Sequence, residues 1–255
     1  MAKKIEDKYK VLDQISHVLH RPQTYVGSNK FNKSLKRIIE DGKIIEQEIN
    51  HIPSFLKIVD EVVTNSVDEH KRNNKLNTLK VNVDIESGRI EVEDNGGIPV
   101  EIHKEHNQYV PEVIFGNLMS GSNYDDTDER TVAGLNGLGA KLTNIFSTEF
   151  TVSTADGRNE FTQTFSENMR NRNQPTVKKS RKKFTKISFV PDFTQFKMDG
   201  IDNDHFKMIE KRIIDIAACN PSLTVFFNGT KLNFNDFSDY IKLYNEDFFY
   251  EVSKD

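Results

Sequence analysis

"TVAGLNGLGAKLTN", Thr131 to Asn144, gathers three of the chain's 13 glycines, Gly134, Gly137 and Gly139, into six residues, with a lysine and an apolar run behind them. Glycine at this density lets the backbone take positive φ and approach a ligand closely. A helix that begins just after it aims free N–H groups and a positive dipole end at an anion. The stretch therefore reads as a phosphate loop, but of neither common kind. A P-loop requires G-x-x-x-x-G-K-[ST]; Gly134 and Gly139 have that gap, yet Ala140 sits where the lysine belongs. The dinucleotide fingerprint G-x-G-x-x-G fits Gly137 and Gly139 but puts its third glycine at Leu142. A glycine-rich turn capping a core helix is the plainer alternative for this stretch taken alone.

The bulk numbers narrow the class. With 255 residues the chain is long enough to bury a sizeable core. Charged residues make up 29% and the net charge is −4, which suits a soluble globular protein and does not make the whole chain a polyanion binder. The single Cys219 cannot close an intrachain disulfide and suits a reducing cytoplasm. "MAKKIEDKYK" has no apolar segment behind it, and no run is long enough to span a bilayer, so neither a signal peptide nor a membrane contact is expected.

Around the glycine stretch the pattern alternates between helices and strands. Val11–Pro22 reads as a short helix and Pro53–Asn73 as a long one, with Pro53 suited to its first turn. Leu79, Val81, Val83 and Ile85 alternate, Ser87–Gly88 turns the chain and Arg89–Asp94 returns: a hairpin with one buried face. Pro111–Met119 and the run from Gly139 to Phe146 read as helices. The strands "EFTVSTA", "NEFTQTF" and "FTKISFVPD" follow, then a helix over Asp204–Asn220 and the strand "LTVFF". This is an α+β fold with a mixed, mostly antiparallel sheet and helices on one face.

Two further stretches carry chemistry. On the long helix Phe55, Ile58, Val59, Val62, Val63 and Val67 form an apolar face, while Glu61, Asn65 and Asp68 share one polar sector. Such a sector is ordinarily just solvated. Facing a cleft instead, Glu61 would deprotonate a water, and the Asn65 amide oxygen would be a hard ligand for Mg2+. In "EDNGGIPV", Glu93–Val100, a strand ends in a carboxylate followed by two glycines that permit close approach. Asp94 there either closes an Asx turn or accepts from an exocyclic amino group such as adenine's.

The order of these pieces, Glu-x-x-x-Asn on a helix, a strand running into Asp-Asn-Gly-Gly-Ile-Pro, then Gly-x-x-Gly-x-Gly-x-Lys at a helix start, resembles the GHKL (Bergerat) ATPases. "RPQTYVGS", "VPEVIFGNLMSGSNYDD" and "NGLGAKLTNIFSTEF" narrow the resemblance to the N-terminal ATPase domains of eukaryote-like type IIA DNA topoisomerases, the large subunits of T-even phage topoisomerases among them. The resemblance implies a two-layer GHKL sandwich over residues 31–255, preceded by an N-terminal strap over residues 1–30. It implies that Glu61 is the general base and Asn65 the Mg2+ ligand, that Asp94 reads adenine, and that Ser122 and Asn123 touch ribose and phosphate. Gly134, Leu135, Asn136, Gly137, Leu138, Gly139, Ala140 and Lys141 would wrap the phosphates of ATP as the end of a lid, and Tyr9 would reach the partner protomer's nucleotide. The implied partners are a second copy through the strap, double-stranded DNA, and other topoisomerase subunits carrying the cleavage domains. The implied location is the cytoplasm, the host's if the chain is phage-encoded.

Two departures qualify the resemblance. The family's Asx-x-Gly-x-Gly-Ile-Pro is one residue shorter here, which leaves Asp94 and Glu93 as rivals for the base, with Asp94 preferred. No Gln-Thr-Lys motif or Toprim acidic cluster occurs, so a nucleotide-binding fragment with weak or no turnover is expected, and a nucleotide-gated dimerisation module stands beside the ATPase reading. A MutL-like or Hsp90-like ATPase is a further alternative, against which "SNYDD" and "NIFSTEF" argue. "KKSRKKFTK", Lys178–Lys186, holds six basic residues in nine and reads either as a DNA phosphate contact or as a solvated hairpin end. The seven His and one Cys show no metal-ligand spacing.

Overall fold

A computed structural model describes residues 11–73, 75–118 and 138–244. The chain enters through two short helices, α1 (Gln14–His20) and α2 (Pro22–Tyr25). Asp13 caps α1 by accepting from the Ser16 N–H, and Pro22 both ends that helix and opens the next, its fixed φ suiting a first turn. A hairpin then joins β1 (Asn32–Glu40) to β2 (Lys43–His51). It was not among the expected elements, although its signal is local: Asp41 and Gly42 both take positive φ, as a two-residue type I′ turn requires.

The long helix α3 (Pro53–Arg72) follows, then β3 (Thr78–Val83), β4 (Ile90–Asp94), the small pair β5 (Ile102–His103) and β6 (Gln108–Tyr109), and α4 (Val110–Gly116). After residue 137 come α5 (Gly139–Ile145), β7 (Ser147–Asp156), β8 (Asn159–Ser166), β9 (Asn171–Arg172), β10 (Thr176–Lys179) and β11 (Lys183–Pro191). The described chain closes with α6 (Phe193–Phe196), α7 (Asn203–Cys219), β12 (Thr224–Phe227), β13 (Thr230–Leu232) and α8 (Phe237–Ile241).

The main sheet runs β10-β8-β7-β11-β4-β3-β12-β13, with β9 beside β8. Every pairing in it is antiparallel except β12 on β3. Register places Val81, Val92, Ile187 and Val152 in one row across four strands, with Ile90, Phe189 and Phe150 in the next. All of these are buried beneath the helices, together with Phe55, Ile58, Val59, Val62, Val63 and Val67 of α3. Each contributes roughly 1.5–3 kcal/mol on burial, so slipping any strand by one residue would forfeit the whole row. The opposite face carries Lys80–Glu93 and Lys186–Glu91 ion pairs and a Thr151–Thr164 hydroxyl contact. The architecture is thus the expected α+β two-layer sandwich. One detail differs: β3 stops at Val83, because Asp84 accepts from Glu86 and Ser87 and turns the chain, leaving Ile85 46% exposed rather than in the buried row.

α7 fixes where α3 begins. The buried His205 donates from Nδ1 to Asp202 and accepts the Ile52 N–H at Nε2, 2.9 Å away, just before Pro53. Asp60 pairs with Arg212 farther along. Among the described residues, no helix is long and apolar enough to cross a membrane.

Candidate functional site

Asp94 ends β4 at the helix side of the sheet and is only 7% exposed. Its Oδ2 accepts from the Ser66 hydroxyl of α3 at 2.7 Å, and its Oδ1 accepts from the Gly96 N–H at 2.9 Å. Glu93, one residue earlier, points to the other face and pairs with Lys80 at 2.9 Å. Alternation along one strand therefore separates the two rival carboxylates. Burial raises the Asp94 pKa to about 6 against the pull of its two hydrogen bonds.

The shortened loop after Asp94 is packed tightly. A Cβ on Gly97 would collide with the Ala155 carbonyl, and one on Gly96 would stand 2.9 Å from both Asp94 Oδ1 and Leu76. Ile98 N–H donates to the Thr154 hydroxyl of β7, which also meets the hydroxyl of Thr185 at 3.1 Å. Thr185 lies directly opposite Asp94 in the β11–β4 register. Ser66, Thr154 and Thr185 have no signature in the sequence, because lone hydroxyls on strands and helices carry no spacing signal.

The raised pKa is a stability statement. Folded Asp94 holds its proton more tightly than the unfolded chain does, so its penalty is absent below about pH 4 and complete above about pH 6. Asp94→Asn keeps the shape and removes the buried charge. Denaturant unfolding should show the variant more stable by up to about 3 kcal/mol at neutral pH, with the difference vanishing near pH 4. Equal midpoints at neutral pH would show that the charge costs nothing where it sits.

Glu61 and Asn65 lie one turn apart on α3. Lys57 pairs with Glu61 Oε1 at 2.6 Å, one turn earlier. Asn65 is exposed. Asp68 departs from expectation: at 2% exposure it belongs to the buried set rather than to the open sector. A helical wheel misses this because α3 is covered on more than one side, by the sheet, α5 and α7.

α5 starts against Glu61. An added Cβ on Gly139 would collide with Glu61 Oε2, so only glycine admits this approach. The Thr143 hydroxyl donates to the Ile58 carbonyl at 2.8 Å, and Asn144 donates to the Phe115 carbonyl at 3.2 Å, locking α5 between α3 and α4. Lys141 stands in the first turn of α5 and is 1% exposed; burial lowers its pKa to about 8. A buried cation at the positive end of a helix is opposed by desolvation and by the dipole together. An anion at that end reverses both. The start of α5 thus meets α3 at Glu61 through Gly139, and Asp94 is tied to the same helix through Ser66. Tyr9, Ser122, Asn123, Gly134, Leu135, Asn136 and Gly137 lie outside the described residues.

The profile described as "Histidine kinase-, DNA gyrase B-, and HSP90-like ATPase" matches residues 50–193. DNA topoisomerase 2 of Pisum sativum is 41% identical over 249 residues, 95% of this chain and 17% of that protein. DNA topoisomerase 2 of Acanthamoeba polyphaga mimivirus is 42% identical over 254 residues, 95% of this chain and 20% of that protein. The chain thus spans a fifth or less of these relatives' length. The crystal structure of the ATPase region of Saccharomyces cerevisiae topoisomerase II superposes with a TM-score of 0.90 at 38% identity, over 93% of this chain and 65% of that one. The ATPase and transducer domains of Balamuthia mandrillaris DNA topoisomerase II give 0.92 at 37%, over 96% and 65%. The chain belongs to the histidine kinase-, DNA gyrase B- and HSP90-like ATPase family and is homologous to the ATPase regions of type II DNA topoisomerases.

Proposed function

We propose that this chain is the ATP-binding gate of a type II DNA topoisomerase: it binds Mg–ATP, dimerises on doing so, and couples hydrolysis to passage of one DNA duplex through another. The observation that carries the reading is the buried Lys141 at the start of α5, with Gly139 pressed against Glu61. A buried lysine in the first turn of a helix whose first residue touches a carboxylate fits a site for a phosphate anion and a water. Asp94 accepts the adenine amino group, since both its oxygens retain acceptor capacity beyond Ser66 and Gly96.

Glu61 takes the proton of the attacking water, and Lys57 holds the other carboxylate oxygen in place. Asn65 presents one amide oxygen to Mg2+, in keeping with an ion that keeps most of its waters and takes phosphate oxygens besides. Bound there, Mg2+ offsets phosphate charge. In this reading residues 1–30 form the strap, with Tyr9 reaching the partner's nucleotide, and residues 31–255 form the ATPase domain. Ser122 and Asn123 meet ribose and phosphate, and Gly134, Leu135, Asn136 and Gly137 complete the lid. Nucleotide favours the closed dimer because that state binds it more tightly. The cleavage domains, the DNA segment and a cytoplasmic setting belong to the complete enzyme.

Calorimetric titration with a non-hydrolysable ATP analogue and Mg2+ tests the pocket. Wild type should bind in the micromolar-to-millimolar range, and Asn65→Ala and Asp94→Ala should each weaken binding by about tenfold or more, as expected for losing one charge-assisted contact. A wild-type chain that fails to bind at millimolar analogue would reject the proposal. Binding indifferent to Asp94→Ala would reject Asp94 as the base reader.

A further inference from the structure

The β5–β6 hairpin, "IHKEHNQY", takes no part in the site just described, and it gathers a different chemistry at its tip. Asn107 adopts a left-handed conformation (φ 50°), and its N–H donates to the His103 carbonyl at 2.8 Å, so the chain folds back within four residues. That turn stacks the rings of His103 and His106, with centroids 4.8 Å apart and planes 28° from parallel. Glu105 joins them: one ligand atom from each of the three residues lies within 4.8 Å of the others. His103 is half-buried, and its Nδ1 is shielded from solvent without a hydrogen-bond partner. This corrects the expectation that the histidines have no metal-ligand spacing. His-x-Glu-His places its ligands on one side only because of the tight turn, which spacing rules for helices and zinc ribbons do not cover.

We propose that His103, Glu105 and His106 form a binding site for a divalent transition ion of the Zn2+ type. Two imidazoles and a carboxylate are the donor set such ions prefer, with further positions left to water or to an incoming ligand. Mg2+, which demands oxygen ligands, is not served by it. Donors about 2.1 Å from one ion lie roughly 3.4 Å apart. The exposed side chains of Glu105 and His106 close that gap by rotation, while β5 holds His103 in place. An ion here would satisfy the orphaned imidazole nitrogen and clamp the hairpin that leads directly into α4.

The test titrates the untagged, metal-free chain with Zn2+ against a chromophoric chelator. One Zn2+ per chain at micromolar affinity or tighter is expected, undisturbed by millimolar Mg2+. His106→Asn and Glu105→Gln, both at exposed positions that leave the fold intact, should each weaken binding by about tenfold or more. His17→Asn, on the surface of α1, should leave it unchanged, and Zn2+ should raise the thermal midpoint of wild type but not of His106→Asn. The proposal fails if Zn2+ binds only at millimolar concentration, or if neither His106→Asn nor Glu105→Gln changes its affinity.

Discussion

With Glu61 as the proposed general base, Gly139→Ala is expected to leave the fold nearly intact and to slow hydrolysis of bound ATP in the complete enzyme by about 100-fold or more, the usual contribution of such a group. The added methyl would occupy the space of Glu61 Oε2. What must yield is the free end of a flexible side chain, not backbone. The Glu61 carboxylate swings aside while Lys57 still holds its other oxygen. Alanine is the better helix former by up to about 1 kcal/mol, so unfolding midpoints should fall within about that margin of wild type. Glu61→Gln is the companion variant, matching the side chain in size without a basic oxygen. Both should keep nucleotide affinity within about threefold, a difference well under 1.4 kcal/mol, and both should fail in single-turnover hydrolysis. A Gly139→Ala chain that hydrolyses at the wild-type rate would mean that the observed placement of Glu61 is not the one chemistry uses.

Lys141→Met should trade binding for stability. Burial holds the Lys141 pKa down at about 8, so the folded state is penalised wherever the unfolded chain keeps its proton more readily. The sign follows: wild-type stability rises as pH climbs from about 8 towards 10.5, and the methionine variant loses this slope. Methionine fills similar space without a charge. Its cost is the phosphate contact, which at about 1.5–3 kcal/mol for a charge-assisted hydrogen bond amounts to a ten- to hundredfold weaker nucleotide. Paired denaturation and nucleotide titrations decide the matter. A destabilised variant with unchanged affinity would make Lys141 a structural residue and remove the central support for the phosphate site.

Much of this site was legible because its requirements are local. α3 announces itself through Pro53 and the six apolar residues from Phe55 to Val67, and all six are buried as their spacing implies. The helix after Gly139 follows from glycine, lysine and an apolar run in succession. The β1–β2 hairpin, absent from the expected elements, has an equally local signal in Asp41-Gly42 between isoleucine-rich segments. Asp68 and Ile85 could not be assigned this way. Each lies in register with its neighbours on an ideal wheel or strand, and each is moved to the other environment by something distant: the packing around α3 for Asp68, and for Ile85 the Asp84 turn that ends β3.

By itself the sequence determined the types of the main helices and of the central strands, the one-sided burial of the sheet, and the family to which Glu61, Asn65 and the glycine-rich helix start belong. Periodicity and backbone freedom are properties of neighbouring residues, so a single chain displays them. Only the tertiary structure decided that Asp94 rather than Glu93 faces the helices, that Gly139 touches Glu61, and that His103, Glu105 and His106 converge. Desolvation, collision and convergence depend on atoms brought together from elements far apart, or on a turn no spacing rule describes. Those contacts set the charge of Asp94, the position of Glu61 and the cost of Lys141.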